Sequence, residues 1–409
     1  TTELAESQAR EADRRLRTGD SGALCGIPFG VKDLLATAGI PTRYGSPLYR
    51  NQVFEFDAAV ITKLRMSGAV LVAKLSMLEL AGAGGPSYAT ASIDGPGLNP
   101  WNTNYWSGGS SSGSAAAVAA GLVPFAIGSE TGGSLTTPAA FCGITGLRPS
   151  LGIVSRHGSL MLAPSADKLG PMAHTAADCG RVLAVIAGRD ERDPWTVDWR
   201  VQRVGSEQFT LGVIANDYRG LDIAQARFDE ALGVFRRLGF RLTELTLPNY
   251  DYPEIWAPIL AAEVASSLDS VIHSESMRTM VDPGQRERLG ASATQPVGAY
   301  AGALAKKAAA TRDVRRLFLE VDALVAPTLL TEAPTIESNL RTEWDRRGHH
   351  ALLGAIAGVP QVSLPMGFGP TGLPLGLSLT GDLLEDAKIL RIAELYQRET
   401  DWHSRRPPT

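Results

Sequence analysis

A chain of 409 residues, 44% hydrophobic and 20% charged, has core enough for one large α/β domain or two ordinary ones. Its formal net charge is −4 and its basic residues are scattered, which excludes the basic face that nucleic acid requires. No apolar run approaches the roughly 18 residues that span a bilayer. The charged N-terminus is not a signal peptide, so a cytoplasmic protein without membrane contact is expected.

In chain order, residues 1–18 read as an exposed helix stopped by "TGD". The missing initiator Met is expected to reflect processing or absent leading residues. "CGIPFGVKDLL" (25–35) predicts a buried strand leading into a turn. "DAAVITKLRMSGAVLVAKLSM" (57–77) predicts a helix through Val60, Ile61 and Leu64, then a strand after Ser-Gly. The strand–helix rhythm recurs at 123–127 and at 209–217, the latter followed by a helix over 224–238. Residues 250–320 read as mainly helical, 323–329 and 360–367 as strands, and 385–400 as a closing helix. No repeat or low-complexity linker divides the chain, so a single domain over 1–409 is expected. A mixed, mostly parallel sheet sandwiched by helices suits this order.

Cys25, Cys142 and Cys179 are widely spaced and read as free buried thiols. The pair His349–His350 lacks metal-ligand spacing and reads as a loop or interfacial pair. No cofactor and no metal are expected.

Two glycine–serine clusters carry the chemical signal. In "VPFAIGSETGGSLTTPAAFCG" a strand runs into a glycine-rich loop that opens into a helix near Leu135–Thr137. Gly132 and Gly133 lack Cβ atoms, so N–H groups there can converge on a small volume, and a helix N-terminus adds unpaired donors. Converging donors of this kind suit an oxyanion hole, with Ser134 placed to attack the carbonyl carbon. A tight or anion-binding loop is the simpler alternative. Upstream, Gly108 and Gly109 lead to Ser110, Ser111 and Ser112 and another helix start, which an N-cap alone would explain. A phosphate loop is disfavoured because GxxxxGK[ST] is absent and neither cluster carries a lysine.

No histidine lies in either cluster, so a proton acceptor must come from elsewhere. Lys32, flanked by Phe29, Val31, Leu34 and Leu35, sits where lost solvation lowers a lysine pKa and yields a neutral general base. Lys74 in "VLVAKLSM" is an equal candidate by composition.

These residues match a known family. "GGSSSGSAAAVAAGL" followed by "GSETGGSLTTPAAFCGITGLRPS" resembles the amidase signature enzymes. "GIPFGVKD", "NPWNTNYWSGGSS", "GLRPSLGIVSRHG", "DKLGPMAHTAAD", "IAGVPQVSLPMG" and "GLPLGLSLTG" are similar to family motifs in the expected order, over nearly the whole chain. The resemblance implies the amidase signature fold, with its core signature at about 100–150 and a helical substrate-side insert at about 250–350. It implies a Ser–cis-Ser–Lys triad of Ser134 as nucleophile, Ser110 as bridge and Lys32 as base. It places oxyanion donors at Thr131, Gly132, Gly133 and Ser134, and a substrate-facing residue at Ala81.

Two departures stand out. The family commonly shows Asp-Thr-Gly-Gly-Ser-Ile-Arg, whereas this chain has Glu130 for the Asp and Thr136 for the Arg, so a loop-bracing ion pair is lost or replaced. A third serine, Ser112, also stands where glycine is usual.

The implied reaction is hydrolysis of a small or aryl amide by an amidohydrolase. The same machinery suits carbamates, as in a urethanase, and esters. A glutaminase A-type subunit of a tRNA-dependent amidotransferase is an alternative, and a non-catalytic binding scaffold is another. The expected partner is a small-molecule amide or carbamate, and the sequence admits a homodimer. Walls from 78–90 and 250–350 are expected around the pocket, and Trp256 is a candidate for an apolar channel beside the alternative of plain helix packing.

Overall fold

Strand pairing organises the whole chain. Among the described residues ten strands form one sheet, in the order Val70–Leu75, Pro28–Lys32, Phe125–Glu130, Lys168–Ala173, Thr145–Arg148, Gln361–Phe368, Pro374–Thr380, Ala323–Pro327, Thr210–Ile214 and Arg241–Leu245. The computed structural model describes residues 1–200, 202, 204–215, 217, 222–343 and 348–408. Asn216 of the expected strand and residues 344–347 of the expected insert lie outside them.

Parallel pairs occupy both ends of the sheet, and antiparallel pairs fill its centre. Ala323–Pro327, Pro374–Thr380 and Lys168–Ala173 are buried at every residue. Successive side chains in a strand point to opposite faces, so both faces of the sheet are covered there. The result is a single-domain mixed α/β sheet flanked by helices, because the last strands return to the middle of the sheet.

The helices follow the apolar spacing read from the sequence. Thr2–Thr18 ends at Gly19, whose φ of 77° is the left-handed conformation suited to a helix stop. Ala59–Met66 buries Val60, Ile61 and Leu64. In the 250–320 region, Tyr252–Ser267 starts at Asp251, whose carboxylate accepts from Glu254 N–H, and Val297–Leu317 follows. No helix among the described residues is long and apolar enough to cross a membrane.

Cys142 and Cys179 are buried free thiols, as expected, whereas Cys25 is half-buried against the first helix, its Sγ 3.7 Å from Ala12 O. His350 is buried against Asp217, whose carboxylate also accepts the backbone N–H groups of His349 and His350. Among the described residues no group of three or more His, Cys, Asp or Glu could hold a metal ion.

Candidate active site

Lys32 ends the strand Pro28–Lys32, which pairs in parallel with Phe125–Glu130 through Val31 and Ile127. That register carries Lys32 to the end of the neighbouring strand, where the glycine-rich loop begins. Lys32 is fully buried, and its Nζ donates to Ser110 Oγ at 2.7 Å and to Ser129 Oγ at 2.8 Å. The Gly109–Ser110 peptide bond is cis. Burial holds the Lys32 amine well below the usual lysine range, and only partial relief comes from the charges of Asp167 and Glu130.

Lys74 has different surroundings. On the adjacent strand Lys74 pairs with Val31, not Lys32, so its side chain leaves the opposite face of the sheet. There its Nζ meets Asp33 at 3.1 Å, Leu35 O at 2.7 Å and Thr42 Oγ1 at 2.8 Å. Register thus distinguishes two lysines that composition leaves equivalent.

A cavity of about 240 Å³ opens beside these groups. Ser110, Thr131, Gly132 and Ser134 line it, together with Ala81 and the apolar side chains Leu78, Trp106, Leu162, Trp256, Leu260 and Val264. Gly133 adjoins this lining and has φ 114°, a conformation that side chains disfavour. Ala81 and Leu80 also have positive φ, at 54° and 47°. Trp256 therefore does more than pack between helices, since it forms part of the wall.

Two buried carboxylates hold the loop carrying Ser134. Glu130 Oε2 accepts from Leu135 N–H and Thr136 N–H, both at 2.9 Å, and from Thr136 Oγ1 at 3.1 Å. Asp167 Oδ1 accepts from Thr131 Oγ1 at 2.6 Å, while its Oδ2 accepts from the amides of Leu162 and Ala163. One carboxylate fixes the loop beyond Ser134, and the other fixes its start.

An ion pair braces the loop in this chain. Arg148, from the strand Thr145–Arg148, donates through Nη1 to Glu130 Oε1 at 2.7 Å, and both side chains are buried. Burial alone would raise the Glu130 pKa, but Arg148 and the two amides outweigh it and leave the carboxyl below its usual value. Thr136 stands where the family's arginine would be and contributes its hydroxyl to the same carboxylate. Room for the Arg148 guanidinium comes from Gly354, where a Cβ would overlap it. A second buried cation, Lys168, pairs in register with Glu130, and its Nζ reaches Gly354 O at 2.9 Å and Ala166 O. Burial and then the Arg148 charge lower its pKa to about 7.

A model of the family described as "Amidase" matches residues 1–390. The chain belongs to the amidase family. The A-type subunit of the glutamyl-tRNA(Gln) amidotransferase of Methylococcus capsulatus is 39% identical, and the match covers 100% of this amidase and 90% of the relative. The same-named protein of Roseiflexus castenholzii is 35% identical over 98% of this chain and 88% of its own. Among solved structures, a chain from work on a vestigial protein complex that reveals the evolutionary origins of an s-triazine catabolic enzyme superposes with a TM-score of 0.88 at 28% identity, covering 100% of this chain and 91% of that one. The native peptide amidase of Stenotrophomonas maltophilia superposes at 0.82 with 30% identity, covering 99% and 88%. The amidase therefore acts on C–N bonds, as the family does.

Sequence reasoning missed Ser129, Arg148, Asp167 and Gly354 as parts of the amidase site. Ser129 had a usable signal, since it sits two residues beyond Ile127 on the strand beside Lys32. Arg148 and Asp167 lie within the quoted motifs "GLRPSLGIVSRHG" and "DKLGPMAHTAAD" but reach the loop only through strand order, and Gly354 carries no local motif.

Proposed function

We propose that this chain cleaves a carboxamide C–N bond through an acyl-enzyme on Ser134. The observation that supports this most directly is the 2.7 Å approach of the desolvated Lys32 amine to Ser110 Oγ, beside the cavity that Ser134 also lines. Ser134 Oγ attacks the carbonyl carbon while its proton passes to Ser110 Oγ and the Ser110 proton passes to Lys32 Nζ. Backbone N–H groups of Thr131, Gly132, Gly133 and Ser134 receive the oxygen as charge develops on it. The C–N bond then breaks, and the proton returns through Ser110 to the leaving nitrogen. Water repeats the sequence to release the acid.

Two settings suit this chemistry. The names of the relatives favour a glutaminase A-type subunit, which frees ammonia for a tRNA-bound acceptor alongside partner proteins. A relative of that name, 39% identical across the whole chain, supports this setting better than any observation supports a free-standing enzyme. The apolar cavity wall favours the second setting, a small or aryl amide cleaved by the chain alone. Ammonia release from glutamine and from a panel of small and aryl amides, with the purified chain and no ATP, separates them. Turnover of an aryl amide with glutamine inert supports the free-standing enzyme. Glutamine turnover alone, or silence until the partner proteins are added, supports the amidotransferase.

The same base fixes a pH dependence. Lys32 works as the neutral amine, and burial lowers its pKa, so the competent fraction grows as pH rises. The expected kcat/KM profile climbs from acid to alkaline through the Lys32 titration. A maximum near pH 5 in a steady-state profile would contradict a lysine base.

A further inference from the structure

We propose that the cavity takes an acyl group ending in a carboxylate held by Arg341, so that the substrate class is the monoamide of a dicarboxylic acid. This inference rests on the acyl-enzyme reading above and adds the identity of the acyl group.

Arg341 is the one charged side chain among the described residues that line the cavity. Its position is set by its neighbour: Leu340 is buried, and its N–H donates to Ser87 O at 2.9 Å, which docks the short helix Leu340–Glu343 on the glycine-rich wall. The guanidinium lies against that wall, since a Cβ on Gly85 would come within 2.8 Å of Arg341 Nη1.

A second guanidinium reaches the same turn. Arg288 donates through Nε to Gly84 O at 2.9 Å, and through Nη2 to Gly85 O at 2.5 Å and Ser87 Oγ at 2.9 Å. The loop acceptors are therefore taken by Arg288, and the Arg341 guanidinium makes no hydrogen bond or ion pair among the described residues.

Among the described residues no acid contacts the Arg341 guanidinium. Asp282 and Glu287 face Arg288, and the Asp282 carboxylate is committed to the backbone N–H groups of Ser87, Gly284 and Gln285. Burial and then the Arg341 charge hold the Arg288 pKa below its usual value. A guanidinium presents paired N–H donors that match a carboxylate.

Size and charge narrow the class further. At about 240 Å³ the cavity is smaller than the roughly 300–1,000 Å³ typical of sites for drug-sized ligands, which favours a compact acyl chain. Among the described residues no carboxylate side chain lines it to pair with an ammonium group on the acyl chain. Glutaric acid monoamide fits this description better than glutamine does.

The test compares three amides in steady-state kinetics: glutaric acid monoamide, its neutral branched isostere, and glutamine. A neutral serine-reactive phosphonate reports separately on Ser134. The monoamide is expected to show a kcat/KM about tenfold to hundredfold above the isostere, the worth of a hydrogen bond to a charged group. In Arg341→Gln that preference collapses through a higher KM on the monoamide, and Arg341→Lys restores part of it. Equal kcat/KM on monoamide and isostere, turnover of neither, or an equal loss on both in Arg341→Gln overturns the proposal when Ser134 labelling is intact. Glutamine preferred over the monoamide overturns the choice of an acyl chain without an ammonium. Absence of labelling in the wild type instead removes the acyl-enzyme reading, and this inference with it.

Discussion

Replacing Ser134 with alanine is expected to abolish labelling by a serine-reactive phosphonate and to lower kcat by about 10,000-fold or more. The expectation rests on how the neighbouring serines are committed. Ser111 Oγ donates to Ser129 O and accepts from Ser129 N–H. Ser114 Oγ donates to Ile127 O, and Ser112 Oγ points to Ser76 O. Ser129 and Ser110 both receive Lys32 Nζ. Of all these hydroxyls only those of Ser110 and Ser134 belong to residues lining the cavity, and Ser134 Oγ has no hydrogen bond among the described residues. It is the hydroxyl free to meet a carbonyl carbon. Lys32→Met should lose comparable activity and, in any residual rate, the acid limb of the pH profile. Ser129→Ala should keep the label and lose only about tenfold, since it removes one neutral hydrogen bond to the base. Mass spectrometry of the labelled peptide decides the matter. A label that persists in Ser134→Ala would assign the nucleophile to another serine.

How much of this could be read from the sequence depends on how local each signal is. The glycine–serine clusters, the lysine-bearing strand and the order of helices are encoded within short stretches, so the family and the fold class were legible. The choice between Lys32 and Lys74 was not legible from composition, because it turns on a one-residue register between neighbouring strands. A residue shifted by one leaves the opposite face of a sheet. The family motif made that choice where the physics of each stretch could not.

The buried brace was harder still. Arg148 meets Glu130 because the strand Thr145–Arg148 lies beside Lys168–Ala173, which lies beside Phe125–Glu130. The sequence shows Thr136 where the family commonly has an arginine but gives no sign that Arg148 meets Glu130. Gly354, 206 residues further on from Arg148 in sequence, becomes meaningful only once the guanidinium is seen against its Cα. Likewise the cavity wall draws on residues near 78–86, 106–110, 131–134, 162 and 256–264 and on Leu340, Arg341 and Leu352, which no local pattern assembles.

Gly354→Ala is expected to reproduce the loss of Arg148 without touching any charged residue. The added methyl falls on the guanidinium, so Arg148 must leave Glu130 or the segment 353–357 must shift. Breaking a buried pair strands a charge in the interior and costs about 3–5 kcal/mol, because the remaining ion has lost both water and partner. Urea unfolding should register that loss in Gly354→Ala and in Arg148→Met alike. The double variant Glu130→Gln/Arg148→Met should recover much of the stability, since no charge is left unpaired. Its activity should not recover to the same degree. A neutral amide at 130 holds the Leu135 and Thr136 N–H groups more weakly than a carboxylate does, and those groups fix the turn directly after Ser134. Stability and kcat should therefore separate in the double variant, with phosphonate labelling of Ser134 slowed in step with kcat. Were Gly354→Ala as stable and as active as the wild type, the seat for Arg148 would have no bearing on the loop. Recovery of both properties together in the double variant would reduce Glu130 to a structural ion with no part in positioning the nucleophile.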